Sequence, residues 1–90
     1  MNIKAHIHKT HRQFTNGLDV IEVEGDTVRD CLIHLVNQFP DIEKEVFNKK
    51  GDLKNIIEIY INAKSAYPDE LAKPVQDGDE IYITFILAGG

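Results

Sequence analysis

One cysteine, three prolines and no long apolar run set the first limits on this chain. Cys31 has no second thiol to pair with, so no disulfide can close a loop within the chain. A lone thiol, with no apolar leader segment at the start, predicts a reducing, cytoplasmic setting. Phe85 to Ala88 is the longest uninterrupted apolar stretch, far short of the ~20 residues a membrane-crossing helix needs. Bases are scarce too, with 10 Lys and Arg against 15 Asp and Glu and a net charge of -5. Such a balance argues against nucleic acid and membrane surfaces as partners and suits a protein partner with a basic docking groove. Residues 1–17 invert it, holding Lys4, Lys9 and Arg12 with no acid, whereas Asp77, Asp79 and Glu80 cluster near the other end. Missing also are a Gly-rich phosphate loop, a nucleophile elbow, an internal repeat and a low-complexity tract.

What is present fits one small domain. Ninety residues leave no room for a second core, and a chain of this mass buries roughly 64% of its unfolded surface on folding. Ile3 to Lys9 alternates apolar and polar residues with the period of a half-buried strand. Asn16-Gly17 closes the polar stretch that follows and signals a hairpin turn. Leu18 to Glu24 reads as the returning strand, with a bulge expected where Val20 and Ile21 stand side by side.

Gly25-Asp26-Thr27 opens the clearest helix. Asp26 or Thr27 can cap it, and Val28, Cys31, Leu32, Leu35, Val36 and Phe39 recur at helical spacing as one apolar stripe until Pro40 stops it. In the charged stretch 41–55, Ile42, Val46 and Phe47 can pin a short second helix, and Gly51-Asp52 marks a turn. Ile57, Ile59 and Ile61 alternate with polar residues in a third strand, residues 63–79 read as irregular, and Glu80 to Ile86 is the last strand. This order predicts an α+β domain, one sheet packed against the helix stripe, and is compatible with a β-grasp arrangement in which the first and last strands are neighbours.

Three stretches then become specific. Asp77-Gly78-Asp79-Glu80-Ile81-Tyr82-Ile83 with Ala88-Gly89-Gly90, Gly25-Asp26-Thr27-Val28-Arg29-Asp30-Cys31-Leu32, and Ile59-Tyr60-Ile61-Asn62 together resemble the MoaD/ThiS family of ubiquitin-like sulfur carriers, in order and spacing. The resemblance implies a ubiquitin-like β-grasp fold: a mixed sheet of four to five strands on one main helix, a globular part over residues 1–86, and a flexible Gly-Gly tail over 87–90. Phe85-Ile86 departs from the proline pair that family tails commonly carry, so the last strand is expected to run further or the tail to dock through apolar contacts. Thiamin-type carriers are usually shorter and lack residues like 41–55. The chain therefore looks closer to the small subunit of molybdopterin synthase or to carriers that give sulfur for cysteine synthesis.

By the same resemblance the reacting group is the Gly90 carboxylate, charged with sulfur as a thiocarboxylate after adenylation by a ubiquitin-activating-type enzyme. Gly89 and Gly90 have no Cβ to clash in a narrow channel. The chain itself would bind no cofactor, ATP being used by the activating partner, and it would be a co-substrate rather than an enzyme. A sulfur-accepting enzyme, such as the large subunit of molybdopterin synthase, would be the second partner. Tyr60, Tyr82, Ile86, Leu87 and Ala88 are expected to dock the partner, a reading that rests on the position of the tail, since scattered exposed apolar residues are common. A protein modifier has the same tail requirements, and a β-grasp interaction module without tail chemistry is the reading from another class.

Two clusters are set aside. His6, His8 and His11 lack a fourth ligand, and a polar strand face explains them without metal. Cys31 and His34 stand three apart, but Cys31 belongs to the apolar stripe, as a structural thiol would.

Overall fold

A computed structural model describes residues 1–86; Leu87 and Ala88, expected to dock a partner, and Gly89 and Gly90, expected to form the reacting end, lie outside the described residues. Strand β1 (Asn2–Ile7) leads through a 3-10 segment (Lys9–Thr15) into β2 (Val20–Glu24) and then helix α1 (Val28–Gln38). A 3-10 turn (Pro40–Ile42) and a short helix α2 (Glu43–Val46) follow, then β3 (Ile57–Ile61), the two-residue β4 (Lys64–Ser65), another 3-10 turn (Glu70–Ala72) and β5 (Glu80–Phe85). The five strands lie in the order β2-β1-β5-β3-β4. β1 and β5 are parallel neighbours, and the other pairings are antiparallel. This is the ubiquitin-like β-grasp.

Alternation decides the core. Ile3, Ala5, Ile7, Ile21, Val23, Ile57, Ile59, Ile81 and Ile83 point from the strands toward Val28, Cys31, Leu32 and Leu35 of α1, and all are buried. Each fully buried aliphatic side chain contributes about 1.5–3 kcal/mol relative to exposure. Thr27 caps the helix, its Oγ1 accepting from the Asp30 N–H at 3.2 Å. Pro40 sits at the head of the next 3-10 turn, where its missing N–H costs nothing, and Ile42 and Val46 close the core beneath it. Burial, and after it the neighbouring Asp30 carboxylate, push the Cys31 thiol up to about 11, which fits a structural rather than a reactive cysteine.

Three local expectations need correction. The first two strands pair antiparallel as the expected hairpin, but both are shorter and the connection is longer and partly helical. β1 ends at Ile7 rather than Lys9, β2 starts at Val20 rather than Leu18, and the 3-10 segment fills the gap. It is anchored by the fully buried Thr15, whose hydroxyl lies 2.9 Å from the Leu18 carbonyl, and it ends on Asn16 and Gly17, both at positive φ. No bulge interrupts β2: pairing runs without a break from Asn2–Glu24 to His6–Val20, and Val20 simply faces outward. Finally, residues 63–79 are not wholly irregular, because β4 pairs with β3 and Ala66 and Val75 are buried.

Candidate functional site

The site is built around β5, the strand that leads to the C-terminal residues. It begins at Asp77-Gly78-Asp79, where Gly78 takes φ +89°, a left-handed conformation that side chains disfavour. Asp77 Oδ1 accepts from the Asn2 N–H at 2.7 Å, and Asp79 accepts from the Gln76 N–H at 2.8 Å and from Asn62 Nδ2 at 3.2 Å. Asn62 Oδ1 accepts from the Glu80 N–H at 3.0 Å. Two of the three stretches that carry the family resemblance therefore meet here and lock the start of β5 between β1 and β3.

On the open face of the sheet, Tyr82 is the cross-strand partner of Tyr60 on one side and of His6 on the other. The His6 and Tyr82 rings stack with centroids 4.2 Å apart and planes 15° from parallel, and His6 Nε2 reaches Glu80 Oε1. The Tyr60 hydroxyl donates to Glu58 Oε1 at 2.8 Å, and that bond raises the phenol above its ordinary range by favouring the protonated form. Tyr60 and Tyr82 are thus brought together as expected. Ile86 is on the same face but four residues further on, about 13 Å along the strand, with Thr84 and Glu58 between. The expected docking cluster is two patches, an aromatic one at mid-sheet and an aliphatic one at the strand's end.

At that end the departure from the family pattern has a structural consequence. The Ile86 N–H donates to the Ile56 carbonyl at 2.7 Å, extending the ladder past Phe85 with a bond that proline could not make. Ile86 and Ile56 are 52% and 45% exposed, an apolar pair where the described chain stops. On the opposite face the Phe85 ring lies flat against His11, with centroids 3.4 Å apart and planes within 3°, and His8 meets it edge-on at 6.1 Å. His11 also faces Glu45, with Nε2 to Oε1 at 3.4 Å, yet partial burial outweighs that carboxylate and lowers the imidazole below its ordinary range.

Sequence reasoning missed Ile56 and the His11–Phe85 contact. Ile56 breaks the alternation ahead of Ile57 and so carried a signal; His11 comes from a segment read as loop. Each histidine is engaged by non-metal neighbours: His6 by Glu80 and Tyr82, His8 and His11 both by Thr10 and Phe85, and His34 Nδ1 accepts from the Glu24 N–H at 2.7 Å. Among the described residues no three His, Cys, Asp or Glu side chains converge as a metal would require. No described helix is long and apolar enough to cross a membrane.

No protein-family model and no functionally curated protein matches the sequence. Solved structures do match over the whole chain. CysO in the BexX/CysO complex of Amycolatopsis orientalis is similar at 25% identity and TM-score 0.88, covering 98% of this chain and 99% of that one. The small archaeal modifier protein SAMP1 of Haloferax volcanii is similar at 26% identity and TM-score 0.86, with both chains covered completely. The complex of subunits 1 and 2 of the Helicobacter pylori molybdopterin-converting factor shares the fold at 14% identity and TM-score 0.65, again with complete coverage. The resemblance to MoaD/ThiS-like proteins read from three sequence stretches extends to the three-dimensional fold.

Proposed function

We propose that this chain is a ubiquitin-like sulfur carrier whose Gly90 carboxyl is the reacting group. The observation that carries the reading is the full-length likeness to CysO and SAMP1, with β5 at the centre of the sheet directed toward Leu87-Ala88-Gly89-Gly90. A carboxylate oxygen of Gly90 attacks the α-phosphorus of ATP in an activating enzyme, and pyrophosphate leaves. Sulfide then attacks the acyl carbon of the adenylate, AMP leaves, and a thiocarboxylate remains. The chain's part is positioning: a tail whose last two residues, Gly89 and Gly90, have no Cβ brings its carboxylate to in-line distance in a narrow channel. No general acid, base or metal of its own enters a step, so it acts as co-substrate.

Docking uses Tyr60 and Tyr82 at mid-sheet and Ile86 with Leu87 and Ala88 at the strand's end, since aromatic and aliphatic clusters anchor interfaces. That CysO was solved in complex with BexX supports a protein partner of this kind. The molybdopterin precursor on a synthase large subunit is the first acceptor to assay, and a cysteine precursor the second. The modifier reading draws on the likeness to SAMP1. It predicts isopeptide conjugates that survive denaturant and reductant.

The test is the mass of the C-terminal peptide after incubation with ATP, sulfide and an activating enzyme. A sulfur-for-oxygen shift on the Gly90 peptide, dependent on ATP, is expected. Replacing Gly89 by Val, or adding one residue after Gly90, should abolish it while the fold survives. Normal thiocarboxylate yield from either variant would sink the reading.

A further inference from the structure

Helix α1 turns one face into the core, and its outer face meets the charged segment 41–55 in a groove of about 560 Å³. Ile33, 46% exposed, and the half-buried Phe47 line it together with Arg29, Glu43, Lys44 and Lys49. The wall opposite α1 is held by its own backbone. The Asn48 N–H donates to the Asp52 carbonyl at 2.8 Å, and Asn48 Oδ1 accepts from the Lys50 and Asp52 N–H groups at 2.9 and 3.1 Å. Gly51 makes that turn at φ +86°, and Arg29 Nη1 reaches its carbonyl across the groove at 3.5 Å, a long bond that leaves most of the guanidinium donors to other acceptors.

The charge around this groove runs against that of the chain. Three of the ten Lys and Arg line it with a single acid, Glu43, although the whole chain carries -5. Among the described residues the ion pairs are His6 with Glu80 and His11 with Glu45, so no carboxylate there neutralises Arg29, Lys44 or Lys49. A lone exposed isoleucine would need no partner, but here Ile33 shares an apolar floor with Phe47 inside a cationic rim. We infer that this groove is an interaction surface for an acidic segment of a protein partner, which seats an apolar side chain on Ile33 and Phe47 while its carboxylates meet Arg29, Lys44 and Lys49. The apolar floor supplies the anchor and the cations the selection, since exposed ion pairs by themselves contribute little. A small inorganic anion fits less well, because the three cations are exposed and screened by salt, and such an ion leaves the floor uncovered. α1 covers one face of the sheet and Tyr60 and Tyr82 lie on the other, so both surfaces can be occupied at once. Nothing in this recognition requires sulfur chemistry at Gly90.

The probe is a short fluorescein-labelled peptide of alternating aspartate and leucine, titrated against the full chain at low salt by anisotropy and by amide chemical shifts. Saturable binding is expected, with shifts at Ile33, Phe47, Asn48 and Gly51 and none at Tyr60 or Tyr82. Replacing the aspartates of the peptide by lysine, or its leucines by alanine, should each weaken binding by about tenfold or more. Lys44→Glu with Lys49→Glu should do the same, and Ile33→Ser should weaken it several-fold. All three side chains are exposed, so these variants should keep the urea midpoint of the domain. Absence of saturable binding overturns the inference, as do shifts confined to the Tyr60 and Tyr82 face or binding indifferent to either peptide change. These readings come from the unaltered chain and need no variant to fold. Displacement of the peptide by an equal concentration of inorganic phosphate would make the groove a small-anion site and overturn it too. So would self-association of the chain that Lys44→Glu abolishes, since a second copy would then fill the groove.

Discussion

Gly25 and Gly78 stand in two of the stretches that resemble the family, and they are needed for different reasons. A Cβ on Gly25 would lie 2.7 Å from Asp30 Cβ and 2.8 Å from the Cys31 nitrogen, so the backbone at the helix entry would have to move. A Cβ on Gly78 would meet nothing within 4 Å, and only its φ of +89° opposes a side chain. Gly78→Ala should therefore cost about 1–2 kcal/mol, the ordinary penalty for a left-handed L-residue. Gly25→Ala should cost about 1–3 kcal/mol through displaced backbone. Urea unfolding of both variants checks the pair. His11 gives a pH prediction at the same scale. Its folded pKa is lowered by burial, against Glu45, which raises it, so below the ordinary value of about 6.5 the unfolded chain binds a proton that the fold resists. Stability should be full above that pH, fall as the pH drops through the window beneath it, and level off below the folded value. His11→Phe keeps a ring on Phe85 and removes the proton site, so its urea midpoint should depend less on pH over that window.

At the scale of elements, α1 and β5 carry separate burdens. The helix depends on its cap and its stripe: Thr27→Ala removes the oxygen that accepts from the Asp30 N–H and should cost about 1 kcal/mol. β5 depends on pairing on both sides, and its last bond is the one the family pattern lacks. Ile86→Pro deletes the donor to Ile56 and should lower stability by roughly 0.5–1.5 kcal/mol in denaturant titration. A loss far above that would mean that Ile86 supports more of the sheet than its single bond. The expectation that the strand continues without prolines is met by that bond, and Phe85 explains the rest by turning inward to His11.

At the scale of the molecule, folding and chemistry separate along the chain. Among the described residues every buried core residue precedes Ile86, and the carboxyl proposed to react follows it in the sequence. Deleting Gly89 and Gly90 should leave the urea midpoint of the domain unchanged and abolish sulfur loading. An interaction module without tail chemistry predicts that partner binding and biological activity both survive the deletion. A pull-down and a loading assay on the same truncated chain decide between them.

Much of this architecture was legible in the residues, because period and turn chemistry are local. The stripe Val28, Cys31, Leu32, Leu35 is the buried face of α1, and Ile57, Ile59, Ile81 and Ile83 face it from the strands they were expected to form. Thr27 is the cap, and Gly78 the turn glycine, as their types imply. Other features depended on groups brought together from far along the chain. The two residues of β4 are too few to show a period, and they are a strand only because β3 lies beside them. The 3-10 segment after β1 carries no apolar stripe, and buried Thr15 fixes it through carbonyls rather than through a hydrophobic face. Tyr82 meets Tyr60 and His6 only because β5 enters between β3 and β1, and His11 meets Phe85 across 74 residues for the same reason. Local sequence determines which face of a segment is apolar and where it must turn. Tertiary packing decides which distant side chains share a face, as His11 and Phe85 do at the end of β5.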